Sequence, residues 1–448
     1  MEPTKPACHR TLQKAALGGI ALVSLVLLGL RLGLFPFPAH GVFGLVLVLA
    51  VLPSLFWWSW IDSWLADGRQ TWTRWTWALY VLLTLSPMLG VTFRGRHAWD
   101  ALPVPVIMWI MIWHILLMAL GSLAVAVWLI LGVLRWPGHA KPAKPTTHDD
   151  HPARVITAQR SKAALSRRAL LMQAAFTTPL LVTAGASVAG MRGQGRFMIR
   201  HQTIQLPRLP KRLRGFTITQ ISDIHVGRIF RPKHLSAVVE AANRLNSDMV
   251  AITGDILDHN IEYLPATMEA IAALKHRYGR FIVAGNHDLL DSRKEFLEAM
   301  RKTEPGFLSD EHTRIKVGGE TVRVAGLFWS RYEQPILSDP GLNSRAVATL
   351  KGGDPETFTI ALAHHPHAFE ALADHGADLI LAGHTHGGQL MLTPPGFKYP
   401  IGGGSLLFRY IWGEYRRHQA ALFVSAGVGN WFPVRLNAPA EIVQIRLV

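Results

Sequence analysis

Leu379-Ile380-Leu381-Ala382-Gly383-His384-Thr385-His386 is the stretch on which the reading of this chain turns. A short apolar run ended by glycine reads as a buried strand. Alternate residues of an extended chain end point the same way, so His384 and His386 are offered together to one side of a sheet edge. Four other clusters repeat the arrangement in fixed order: Asp223-Ile224-His225, Gly254-Asp255, Gly285-Asn286-His287-Asp288 and His364-His365-Pro366. Each follows an apolar run, which puts Asp, Asn or His at the end of a strand. Any one of them alone is an ordinary feature. Gly-Asp closes strands in many turns, and a lone Asp-x-His is more often solvated than a ligand pair. Five in order, each behind its own apolar run, point to a metal site.

Carboxylate, carboxamide and imidazole donors in one place suit Mn²⁺, Fe or Zn²⁺ better than a hard all-oxygen Mg²⁺ cage or a thiolate site. Two such ions about 3.5–4 Å apart can clamp a phosphoryl group and hold a hydroxide for in-line attack. The five clusters together resemble the calcineurin-like metallophosphoesterase family over about residues 215–448. Gly383-His384-Thr385-His386-Gly387-Gly388-Gln389, with Gly427-Val428-Gly429, Val434-Arg435 and Pro439-Ala440-Glu441-Ile442, is similar to that family's branch of membrane-attached bacterial phosphodiesterases. Ala440 interrupts the Pro-Glu-Ile usual there. The resemblance implies one divalent ion held by Asp223, His225 and His386, a second by Asn286, His364 and His384, and a bridge by Asp255. It implies that His287 lies beside the leaving group as a proton donor and that Asp288 orients this imidazole. Between His364 and His365, the family spacing Leu-x-His-x-Pro selects His364. Asp258, His259, Asp291, His367 and His375 read as the solvated loop residues that surround such a site.

Length and composition divide the chain. Its 448 residues exceed one ordinary core. Of the formal +16, residues 1–200 contribute 19 Lys/Arg against 6 Asp/Glu, leaving +3 for the remainder. The basic balance therefore sits with the hydrophobic segments and reads as membrane-topology charge rather than as a nucleic-acid surface. Twelve of the fifteen Trp share that region, grouped as Trp57, Trp58 and Trp60 and as Trp72, Trp75 and Trp77, in the manner of interfacial aromatic belts. One cysteine, Cys8, excludes intrachain disulfides and cysteine-rich zinc chemistry.

Apolar segments at about 15–35, 41–60, 75–93 and 104–134 are each long enough to cross a hydrocarbon core. Residues 1–135 are accordingly expected to form a four-helix transmembrane region, with His114 packed neutral between helices. Residues 136–168 read as a basic cytoplasmic linker and 169–191 as a fifth span, whose preceding Ser166-Arg167-Arg168 resembles a twin-arginine start. With five crossings, thirteen Lys/Arg flank one side and Arg94 and Arg96 the other, which turns the domain at 215–448 toward the periplasm or cell exterior. Strands are expected at 216–222, 249–253, 281–284, 358–363 and 379–382, helices at 235–245 and around 369–373, and a hairpin through Gly318-Gly319.

The expectation is a multi-span α-helical membrane region followed by an α/β domain of two packed mixed sheets flanked by helices. Its expected function is hydrolysis of a phosphodiester or pyrophosphate bond with two divalent ions (Mn, Fe or Zn) by a metal-bridging hydroxide. The bilayer is the expected partner, and tethering favours a lipid-linked substrate. Two rivals are a membrane sensor or transporter accessory that binds without turnover, and a nuclease. The first predicts a missing ligand, and none is missing; the second requires a basic cleft, against which the +3 of residues 201–448 argues.

Overall fold

A computed structural model of the chain describes residues 11, 13–22, 51–63, 65, 71–94, 102–134, 167–328, 341–352, 356–392, 401–402, 404–405, 408–430 and 434–448. The chain divides into two compact units, one built from residues before Ala186 and one chiefly from Ala186–Val448. The expected spans at 15–35 and 41–60 lie partly outside the described residues, and Cys8 and nearly all of the 136–168 linker lie wholly outside them.

The first unit is helical. Residues 13–22 and 51–63 are helical, followed by α1 (Thr71–Arg94), α2 (Val104–Leu134) and α3 (Arg167–Gly193). Among the described residues one helix, through Val104–Gly121, is long and apolar enough to cross a membrane. Its core gathers Ile61, Trp77, Val81, Trp113 and Leu117, with Trp77 edge-on to Trp113 at 6.1 Å between centroids. Two titratable groups inside are paired. Arg74 makes a two-pronged contact with the Asp62 carboxylate, at 2.7 and 2.9 Å. His114 links three helical segments, through Ser54 Oγ at 3.1 Å and the Thr84 carbonyl at 2.9 Å.

The second unit is a sandwich of two sheets. The first has the order β1-β13-β2-β3-β4 and the second β11-β12-β8-β7-β6-β5. The strands of the first are β1 (Met198–Ile204), β2 (Thr217–Ile221), β3 (Met249–Thr253), β4 (Arg280–Val283) and β13 (Glu441–Leu447). Those of the second are β5 (Glu311–Val317), β6 (Glu320–Leu327), β7 (Thr359–Ala363), β8 (Leu379–Ala382), β11 (Gly413–Arg417) and β12 (Ala420–Val424). A small ladder pairs β9 (Met391–Leu392) with β10 (Ile401–Gly402). The strand period of two sorts side chains between layers. Met249 and Ala251 of β3 face Ile360, Leu362, Leu379 and Leu381 of the other sheet. Val250 and Ile252 face outward, under α4 (Pro232–Arg244), α5 (Leu264–Ala272) and α6 (Arg293–Thr303). The second sheet's outer face packs on α7 (Leu342–Leu350) and α8 (Ala368–Asp374).

Both sheets are mixed. Strands β2, β3 and β4 run parallel, as do β6, β7, β8 and β12, whereas β13 lies antiparallel to β2 and β5 to β6. The domain also begins earlier than the expected 215, because β1 pairs in parallel with β13 from Met198↔Glu441 to Ile204↔Leu447. An edge strand half exposed along its length lacks the apolar run that marks buried strands.

Candidate metal centre

Carboxyl ends of parallel strands from both sheets meet at one place, where α/β sheets commonly set their ligands. Asp223 and His225 follow β2, Asp255 follows β3, Asn286 and His287 follow β4, His364 follows β7, and His384 and His386 follow β8. Asp223, His225, Asp255, His384 and His386 all have left-handed backbones, with φ of 51°, 50°, 51°, 71° and 51°. Such residues cost about 1–3 kcal/mol each and persist where surrounding structure overdetermines them. The glycines ahead of them are required by close approach. A Cβ on Gly285 would lie 2.2 Å from Asp255 Oδ1, and one on Gly383 would lie 1.9 Å from Ser222 Oγ.

Three groups of donors converge closely enough to hold a cation: Asp223 with His225 and His386, Asp255 with His364 and His384, and His225 with Asp255 and His287. In the first, His225 Nε2 lies 3.0 Å from His386 Nε2, and His386 Nε2 lies 3.5 Å from Asp223 Oδ1. In the second, His364 Nε2 lies 3.2 Å from Asp255 Oδ2, 3.1 Å from Asn286 Oδ1 and 3.2 Å from His384 Nδ1. Asp255 Oδ2 is also 3.5 Å from His225 Nε2, so one carboxylate oxygen serves both groups. His365 joins none of these groups; its Nδ1 lies 2.8 Å from His367 Nδ1, and its ring packs against that of His384 at 4.4 Å between centroids.

The donor set fits divalent metal ions. Imidazole nitrogens, a carboxamide oxygen and carboxylate oxygens within 3.0–3.5 Å of one another are the donor types that such ions take. Outer contacts fix the rings. The His364 Nδ1 contacts the Thr253 carbonyl at 2.8 Å, and the His384 amide donates to Asp223 Oδ1 at 2.9 Å. His287 N donates to Asp255 Oδ1 at 2.7 Å.

Electrostatics follow the same packing. Burial works against the charge on Asp255, but the facing imidazoles of His364, His287 and His225 outweigh it and hold the carboxyl well below its ordinary range. Burial likewise opposes protonation of His287 and His364, and the carboxylates beside them, chiefly Asp255, still push both up to about 9. Burial and neighbouring positive charge hold His384 and His386 well below the ordinary value.

Two residues depart from the sequence reading. Asp288 does not orient His287: its Oδ1 accepts from Leu257 N and its Oδ2 from Gly285 N, both at 2.8 Å. The tight turn at His287–Leu289 sends the two adjacent side chains apart, so Asp288 braces the Gly254-Asp255 and Gly285-Asn286 loops. Burial and Asp255 push its carboxyl up to about 7. Asp258 takes the place beside the imidazole. Its carbonyl accepts from His287 Nδ1 at 2.6 Å, and its carboxylate lies 3.4 Å from that nitrogen and 3.6 Å from His225 Nδ1. Its spacing from Asp255 by three residues in an irregular segment carries no periodic signal that could have singled it out.

Residues 216–388 match the family model for calcineurin-like phosphoesterases. A metallophosphoesterase of Helicobacter pylori is 31% identical over 265 residues, covering 57% of this chain and 65% of that protein. A zebrafish transmembrane protein with a metallophosphoesterase domain is 30% identical over 253 residues, covering 54% and 56%. The chain thus spans less than two thirds of either relative's length. A metallophosphoesterase of Bacillus subtilis is 29% identical over 284 residues, covering 59% of this chain and 93% of its own. Among solved structures, a dimetal phosphatase from zebrafish aligns at 13% identity over 48% of this chain and 88% of its own, with a TM-score of 0.29. In its strand-end motifs and in the family match, the segment 216–388 is similar to the calcineurin-like phosphoesterases.

Proposed function

We propose that the chain is a membrane-anchored, dinuclear metal-dependent phosphoesterase that hydrolyses a phosphodiester or pyrophosphate bond. The observation that carries this reading is the shared position of Asp255 Oδ2, 3.2 Å from His364 Nε2 and 3.5 Å from His225 Nε2, between two donor groups. Asp223, His225 and His386 would hold one ion, Asn286, His364 and His384 the other, with Asp255 common to both. When bound, two such ions supply Lewis acidity, neutralising charge on the phosphoryl group and acidifying water.

The chain's own residues do the rest. His287 Nδ1 is engaged by the Asp258 carbonyl, which leaves Nε2 as the free edge of a ring one quarter exposed. With the Asp258 carbonyl and carboxylate at Nδ1 favouring the protonated ring, the imidazole can give a proton to the departing oxygen. The Asp258 carboxylate, close to His287 and His225, steadies that charge.

Residues 1–135 and 169–191 serve as the anchor in this reading, 136–168 as a cytoplasmic linker, and the domain faces the periplasm or exterior of the cell membrane. Support comes from large apolar side chains left exposed along the helices: Trp72, Trp75, Leu79 and Leu83 on α1, Leu123 and Ile130 on α2. A continuous exposed stripe of this kind suits hydrocarbon rather than water. Tethering concentrates lipid-borne substrates near the site, so a lipid-linked phosphate or diphosphate is the proposed substrate class.

The test is metal-analysed hydrolysis by detergent-solubilised full chain after chelation and reloading with Mn²⁺. Two ions per chain, with activity on bis(p-nitrophenyl) phosphate that returns only on reloading, is the expected result. Chelator-resistant turnover, or a stoichiometry below two, would sink the dinuclear reading. Hydrolysis of soluble nucleotide diphosphates alone, with lipid-linked ones ignored, would remove the substrate class while leaving the mechanism.

A further inference from the structure

We propose that Arg435 is a positioning residue that builds the Asp223–His225–His386 half of the centre and not the other half. Its guanidinium is buried among backbone oxygens. Nη2 donates to the carbonyls of Gly429 at 2.6 Å and Ala426 at 2.9 Å, and Nη1 to those of Ala438 at 3.1 Å and His386 at 3.3 Å. Nη2 also lies 3.1 Å from His386 Nδ1, and Nε donates to Asn430 Oδ1.

These contacts join two loops that bear on one donor group. The Ala426–Gly429 loop holds the Asp223 side, since Val428 N donates to the Ser222 carbonyl and Gly429 N to the Asp223 carbonyl, both at 2.9 Å. A Cβ on Gly427 would lie 2.6 Å from the Asp223 Cβ, so the loop rests directly against that residue. The His386 loop is held through its carbonyl and its ring nitrogen. A rigid planar fork with five donors spans both at once, which a lysine ammonium on a flexible stem does not. Asp255 and His364 are held instead by the amide of His287 and the Thr253 carbonyl, and Asp288 braces the Gly285 turn ahead of Asn286; His384, whose amide donates to Asp223 Oδ1, touches the first half as well.

This inference rests on the dinuclear reading, and Mn²⁺ binding to the full chain in detergent separates the two. Wild type is expected to bind two ions and to give an exchange-coupled electron paramagnetic resonance spectrum; fewer than two would end the dinuclear reading itself. Arg435→Lys keeps the charge and loses the fork. It should retain one tight ion, weaken the other roughly 10–100-fold, and replace the coupled spectrum with the six-line signal of an isolated Mn²⁺. Asn430→Ala, which loosens the guanidinium without removing it, should shift the same ion in the same direction by less, and decides the matter if the lysine variant fails to fold. Two ions bound with unchanged affinity in the folded variants, or equal loss of both ions with a lowered melting temperature, would overturn the proposal.

Discussion

Buried polar groups are treated in opposite ways in the two units. In the helical unit the buried titratable groups are paired: Asp62 meets the fork of Arg74, and His114 sits between a hydroxyl and a carbonyl. At the sheet ends, imidazoles and carboxylates crowd one another, as His225 Nε2 lies 3.0 Å from His386 Nε2, on backbones held left-handed. Matched burial stabilises a fold. Imidazoles and carboxylates gathered on strained backbones can take up a cation, so the same residue types are structural in one unit and suited to metal binding in the other.

The comparison breaks most sharply at Asp255. Asp255→Asn should lose both ions and turnover together, by roughly 10⁴-fold or more, the scale of single essential groups; metal analysis beside rate measurement checks it, and full retention of either would refute the shared-carboxylate role. His287→Ala should keep both ions and lose rate by about 10²–10⁴-fold, the usual contribution of a placed proton donor. A parallel loss of metal would mean that His287 ligates rather than donates.

The metal-free centre should also be sensitive to pH. His287 and His364 are pushed from 6.5 up to about 9, so their contribution to stability is complete below 6.5 and lost as pH rises through 9. His384 and His386 are held well below 6.5, so theirs is present above 6.5 and lost as pH falls. The melting temperature of chelated protein should therefore peak near neutrality and drop by several degrees toward pH 9, and saturating Mn²⁺ should flatten the alkaline limb. The smallest effect is expected from the matched side: His114→Leu should cost about 1–3 kcal/mol in stability and leave the rate per folded molecule unchanged.

Strand ends and ligand types were legible because each buried strand writes an apolar run and each motif glycine stands where a side chain would collide. Met249–Thr253 and Leu379–Ala382 are the strands at the boundaries their patterns implied. Strand β1 was not legible, since it owes its place to backbone pairing with β13 across the whole domain. Nor was the choice between Asp258 and Asp288 as the neighbour of His287: both follow ligand motifs, and the direction of a side chain from a tight turn depends on which amides lie above it.

By itself, then, the order of residues determined that two sheets would form, that their carboxyl ends would carry Asp, Asn and His, and that the described residues of the Trp-rich segment before 135 would be chiefly helical. Local periodicity and residue chemistry suffice for that, because they act within a few positions along the chain. Which oxygen of Asp255 stands between two donor groups, which carboxylate attends His287, and that Arg435 ties Asp223 to His386 were decided only by folding. Those contacts join residues far apart in sequence, and their energies exist only once both sheets have packed.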